Sequence, residues 1–127
     1  MRRARGRAFA TLAGLMLLGA AAAAAQGSAA TPVPAQGPAI PRDTPYQIAR
    51  RLLLSLGYAP AAPVRPPRCA EGREEICRAY GEVERCAADG AARCLFLRTK
   101  DGATVEVETR GLDELTVARV RCRTGCG

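Results

Sequence analysis

Six cysteines lie between Cys69 and Cys126 in a chain of 127 residues that contains no histidine. Whether such cysteines are staples or metal ligands depends on the compartment they work in. The N-terminus bears on that question. Arg2, Arg3, Arg5 and Arg7 form a positive region, and Ala8 to Ala25 form an apolar one centred on Leu12, Leu15, Met16, Leu17 and Leu18. Ala23-Ala24-Ala25 fits a small-x-small cleavage site, so residues 1–25 read as an export signal cut before Gln26. An uncleaved anchor made of the same residues is the alternative. An exported small domain with an even number of cysteines points to three disulfides.

Residues 26–42 carry Pro32, Pro34, Pro38 and Pro41 among alanine and glycine, and read as a flexible tether. Residues 43–127 make a single domain of about 85 residues, a size at which covalent staples commonly supplement a small core. The chain is formally +7, but four of its 19 basic residues sit in the signal. The mature remainder has 15 basic against 12 acidic residues, a net +3, too mild to imply nucleic acid. No segment after Ala25 is long and apolar enough to span a bilayer.

The expected fold class is α+β: one N-terminal amphipathic helix packed on a small antiparallel β-meander, stapled by disulfides. The helix runs from Asp43 to Gly57. Thr44 suits the N-cap, Pro45 the first helical position, and Gln47 completes a capping box. Ile48, Ala49, Leu52, Leu53 and Leu56 form its apolar stripe, and Gly57 ends it. The proline-rich stretch 58–67 excludes a central strand but allows an edge segment near Val64. A short helix over residues 71–80 would carry Glu74 and Glu75 in its first turn and place Ile76 and Tyr80 on one face.

The meander comes next. Residues 95–100 and 104–109 flank Asp101-Gly102, a two-residue hairpin signal, and residues 115–122 make the third strand. Phe96 then lies opposite Val107. For the second hairpin the preferred register pairs Val105 with Val120 and Val107 with Ala118, which sets Glu106 opposite Arg119. The helix would cover Phe96, Val105, Val107, Ala118 and Val120. Leu95 and Leu97 point the other way, and need cover from the cysteine-rich loop or form an exposed apolar patch.

Six cysteines allow 15 pairings. Cys86 and Cys94 bracket a compact turn-rich loop and are the best single pair. Cys69–Cys77 and Cys122–Cys126 would complete a local set, and a longer link from Cys69 or Cys77 to the C-terminal pair stays open. A zinc site would need thiolates alone, and only Cys122-x3-Cys126 approaches knuckle spacing. A C-x-x-C redox motif is absent. Histidine-dependent triads are impossible, and Glu74-Glu75, Glu106, Glu108 and Asp113-Glu114 each read as helix-start, strand-face or turn carboxylates. No residue is assigned a catalytic, cofactor-binding or metal-binding role, no cofactor is expected, and the chain does not read as an enzyme.

Thr44-Pro45-Tyr46, Ala49-Arg50, Leu53 and Gly57-Tyr58, followed by spaced cysteines and the Asp-Gly hairpin, resemble small exported bacterial proteins of unassigned function. Tyr58 stands where tryptophan is commoner in that pattern. The resemblance spans roughly residues 44–122. It implies an α+β fold and a periplasmic or secreted home, and brings no catalytic residues. The expected function is therefore a small binding module of the bacterial envelope, with another envelope protein or a ligand as partner. A thiol- or metal-dependent periplasmic protein is the alternative. Two surfaces are candidates: the strand face carrying Arg119, Arg121 and Arg123, and the Leu95/Leu97 pair.

Overall fold

The computed structural model describes residues 32–127, so the signal-like segment and the start of the proposed tether lie outside the described residues. The fold of the described residues is α+β: two helices and a mixed six-stranded sheet, stapled by three disulfides. Among the described residues no helix is long and apolar enough to cross a membrane.

Helix α1 spans Tyr46–Ser55, with Pro45 at its cap position. The expected capping box does not form. The Thr44 carbonyl accepts the Val117 N–H at 2.8 Å and its hydroxyl donates to the Pro41 carbonyl at 2.7 Å, so pairing with the sheet takes Thr44 away from the helix. Gln47 instead donates to the Tyr80 hydroxyl at 2.6 Å. At the other end Gly57 has φ 89°. The Tyr58 and Gly57 N–H groups return to the Leu53 and Leu54 carbonyls at 2.8 and 3.0 Å, a Schellman closure.

The stripe this helix buries is Tyr46, Ala49 and Leu53. Ile48, Leu52 and Leu56, expected inside, are 40–46 % exposed. At 100° per residue the buried face is turned by roughly 60° from the expected one, toward Tyr46 and Arg50. Two contacts account for the turn: the Tyr46 ring stacks on Phe96 at 3.9 Å, and Arg50 pairs with Glu82 at 2.7 Å.

Strand β1 is Ala59–Pro60 and β2 is Arg68–Cys69; helix α2 is Glu74–Ala79; β3 to β6 are Val83–Cys86, Cys94–Lys100, Ala103–Arg110 and Thr116–Thr124. The sheet order is β2-β3-β4-β5-β6, with β1 also on β4. The expected three-stranded antiparallel meander is thus only part of the sheet. β3 pairs along Cys94–Phe96, β1 along Arg98–Thr99, and β2 joins β3 in parallel. Val64 belongs to no strand and is fully exposed.

The β4–β5 hairpin matches its sequence. Lys100 faces Ala103 and Phe96 faces Val107, while Asp101 and Gly102 take the φ values of 48° and 79° that a two-residue primed turn requires. In the β5–β6 hairpin the register is two residues from the expected one: Val107 pairs with Val120, Val105 with Cys122, Glu106 with Arg121 and Glu108 with Arg119. A two-residue slip keeps every side chain on its face. A bulge then intervenes, since Thr109 pairs with Val117 and Ala118 is skipped. Val117 consequently enters the core where Ala118 was expected.

The proline-rich segment expected as a tether is docked over residues 32–42. Val33 is buried in the core cluster, and the carbonyls of Val33 and Ala35 accept N–H groups of Gly127 and Cys122 at 3.3 Å each. Asp43 N–H bonds the Val117 carbonyl at 2.8 Å, so this segment covers an edge of β6 that would otherwise lie open.

Cys69–Cys77 ties β2 to α2, Cys86–Cys94 joins residues directly opposite on β3 and β4, and Cys122–Cys126 closes the end of β6. This is the fully local set. Such a stapled small domain fits an oxidising compartment.

Candidate functional site

Both surfaces expected from sequence are occupied by the fold itself. Leu95 and Leu97 are 5 % and 6 % exposed, so no apolar patch stands there. Leu97 is roofed in part by the proline-rich crossing segment, whose Ala61 N–H bonds the Leu97 carbonyl at 3.0 Å. The cysteine-rich loop was the expected cover.

Arg119, Arg121 and Arg123 do project from one face of the sheet, and each meets a carboxylate. Arg119 Nε lies 2.8 Å from Glu108, Arg121 pairs with Glu106, and Arg123 reaches both Glu106 at 2.9 Å and Glu84. The Arg123 hydrogen bond holds the Glu84 carboxyl below its ordinary value, and the guanidinium is raised in return. Glu106 thus neutralises Arg121 and Arg123, not Arg119 as expected, because the register differs by two residues.

A second charged cluster lies sealed on the opposite side. Glu82 and Arg98 have side-chain exposures of 1 % and 0 %. Glu82 Oε1 accepts from the Tyr46 hydroxyl at 3.1 Å, Arg50 Nε at 2.7 Å and Arg98 Nη2 at 3.2 Å. Arg98 Nη1 also donates to the Tyr58 carbonyl at 3.3 Å. Burial, and then the nearby Glu82 charge, push the Tyr46 hydroxyl far up, so it stays a donor. The cluster therefore fixes α1 against β4.

Beside this cluster, where the start of α1, α2 and the β5–β6 loop meet, is an open cleft of about 510 Å³. Its apolar walls are Pro45, Ile76, Ala79, Tyr80, Leu112 and Leu115, and Gln47, Glu75, Asp113 and Glu114 supply its polar groups. Each wall has a local cause. Tyr80 is held edge-on to Tyr46 and Phe96, with centroids 5.4 Å away in both cases, and Arg50 lies over its ring. The Cys69–Cys77 bridge holds α2. The β5–β6 loop turns at Gly111, whose φ is 111° and where a Cβ would collide with the Glu114 carbonyl.

Arg73 also lines the cleft but is only 4 % exposed. Its Nη2 donates to Cys94 Sγ at 3.3 Å and to the Gly111 carbonyl at 3.1 Å, which ties α2 to that loop. Three carboxylates against this one guanidinium leave the lining net negative. The volume lies within the roughly 300–1,000 Å³ of small-ligand sites. All six cysteine sulfurs are in disulfides, so none is a thiolate able to hold a metal or exchange with a partner in this state.

None of the cleft residues was singled out as a site from sequence. Glu74 and Glu75 read as helix-start charges, and Glu74 behaves as one: N–H groups at the helix start lower its carboxyl. Asp113 and Glu114 read as turn residues, and the sequence does not show that this turn faces α2. No family model, curated protein or solved structure matches the chain.

Proposed function

We propose that the protein is an exported binding module of the bacterial envelope, periplasmic or secreted, and a binder rather than an enzyme. The single observation that carries this reading is the cleft between α1, α2 and the β5–β6 loop: a ligand-sized volume with apolar walls and a net acidic lining. Such a lining suits an apolar group bearing a positive charge, on a small molecule or on a basic side chain of another envelope protein. Two disulfides and the Glu82–Arg98 cluster brace its surroundings, so little ordering entropy is lost on binding. The periplasmic or secreted location is the one that the sequence resemblance to small exported bacterial proteins implies.

The test is an NMR titration of the oxidised protein with phenethylamine and, as the matched anion, phenylacetate. The amine should shift Ile76, Ala79 and Leu112 and saturate in the millimolar range; the acid should not. Glu75→Gln with Asp113→Asn should weaken the amine about fivefold, the equivalent of about 1 kcal/mol. Shifts scattered over the surface, or equal response to amine and acid, would remove the reading.

A further inference from the structure

A second, smaller cleft of about 330 Å³ opens at the bulged end of the β5–β6 hairpin, and its lining is unlike the rest of that face. Arg42, Arg93, Arg110 and Arg119 line it together with Ala91, Ala118 and a single carboxylate, Glu108. The four guanidiniums come from four separate segments: the docked N-terminal strap, the β3–β4 loop, and the ends of β5 and β6. Backbone geometry brings them together. The skipped residue Ala118 kinks β6 at this point and lines the opening. The Asp43 N–H bond to Val117 holds Arg42 beside the kink, and the Gly111 N–H bond to Ala91 at 3.1 Å holds the loop that carries Arg93.

The ion pairs do not use up these charges. Glu108 takes one nitrogen from each neighbour, Arg119 Nε at 2.8 Å and Arg93 Nη1 at 3.5 Å. Arg110 pairs with Asp43 through Nη2, and Arg42 makes none of the ion pairs found among the described residues. Four guanidiniums against Glu108 and Asp43 leave two positive charges over. Farther along the same face Arg121 and Arg123 are balanced by Glu106 and Glu84. Uncompensated guanidiniums gathered in one concavity repel one another until an anion enters, and their free N–H groups match the oxygens of a tetrahedral oxyanion.

We propose that this cleft binds a doubly charged tetrahedral oxyanion group, the terminal group of a phosphate monoester. The volume exceeds that of the anion alone, which leaves space for the start of an ester body. The site is separate from the acidic cleft, so it stands or falls independently of the amine reading.

Inorganic phosphate, sulfate and acetate are titrated into the oxidised protein at constant ionic strength, following the arginine Nε–H resonances and Tm. Phosphate and sulfate should shift Arg42, Arg110 and Arg119 and raise Tm; acetate should do neither. Arg42→Gln, at an exposed position, should leave the Tm without anion unchanged and weaken phosphate about tenfold. Arg121→Gln, on the same face outside the cleft, should leave phosphate affinity unchanged. Phosphate acting no better than acetate, or equal weakening by both variants, would overturn the site in favour of general electrostatic attraction. Sedimentation with vesicles of phosphatidylcholine containing phosphatidic acid, whose headgroup is a terminal phosphate monoester, but not with vesicles of equal charge containing phosphatidylglycerol, lost in Arg42→Gln, would assign the ester to a lipid headgroup. Phosphate binding without sedimentation would assign it to a soluble ester.

Discussion

Glu82 and Glu106 are both buried carboxylates, each held by arginines, yet they stand on opposite sides of one sheet in opposite situations. The partners of Glu106, Arg121 and Arg123, are 52 % and 33 % exposed and can turn back to water. Arg98, the sealed partner of Glu82, cannot. The same residue types therefore do different work. On the outer face they form a ladder that neutralises strand-face charge and can rearrange at little cost. On the inner side they form a lock, because breaking it strands a charge in low dielectric. The acidic cleft lies beside the lock and the arginine cleft at the end of the ladder.

That contrast predicts its own largest effect. Glu82→Gln should destabilise by about 3–5 kcal/mol, since Arg98 stays charged and buried without its counter-ion. Glu106→Gln should cost only about 1 kcal/mol, because its arginines resolvate. Urea midpoints at unchanged m-value would measure both. Adding Arg98→Met to a Glu82→Leu background should recover much of the loss, as replacing a buried pair by apolar groups often does. Equal costs for the two Gln variants would dissolve the distinction between lock and ladder.

Legibility in the sequence tracks the distance along the chain over which each feature is decided. The Asp101-Gly102 turn, the Phe96–Val107 pair and the Cys86–Cys94 bridge are decided between near neighbours in the chain and formed as read, while the other two disulfides are the local pair rather than the longer link the sequence left open. The burial of Arg98 is implicit in the same hairpin: a register with Phe96 opposite Val107 also sets Arg98 opposite Val105, on the core face. Its partner was not legible, because nothing in Gly81-Glu82-Val83-Glu84 marks which carboxylate turns inward. Nor was the docking of Val33, a lone apolar residue among prolines and alanines. Both clefts are assembled from three or four distant segments, and the arginine cleft also needs the Ala118 bulge, which the hydrophobic alternation of β6 does not announce.

The lock also explains why α1 buries an unexpected stripe, and two leucines next to each other test that. Leu53 is fully buried and Leu52 is 40 % exposed. Leu53→Ala should cost about 2–5 kcal/mol and Leu52→Ala less than about 1 kcal/mol. Thermal melts of the two oxidised variants would rank them. If the costs were equal, Arg50 and Tyr46 would not be setting the helix rotation, and the lock would be confined to Glu82 and Arg98 themselves.

The smallest expected effect belongs to the ladder and depends on pH. The Arg123 hydrogen bond lowers the Glu84 carboxyl in the folded protein, so the unfolded chain holds more protons between the two pKa values. The resulting stability is complete above the ordinary glutamate value of about 4.3 and is lost as pH falls through the lowered folded value. Both side chains are about a third exposed, so solvent screening holds the contribution to about 0.5 kcal/mol. Arg123→Ser should therefore lower the urea midpoint slightly at pH 7 and less as the pH approaches 3, and 0.5 M salt at pH 7 should shrink the difference because the pair is open to ions. A difference that stayed constant from pH 7 to pH 3 would mean that Arg123 contributes by covering the sheet face with its aliphatic stem rather than by charge. The ladder would then be part of the outer core, and its contrast with the inner lock would be one of degree.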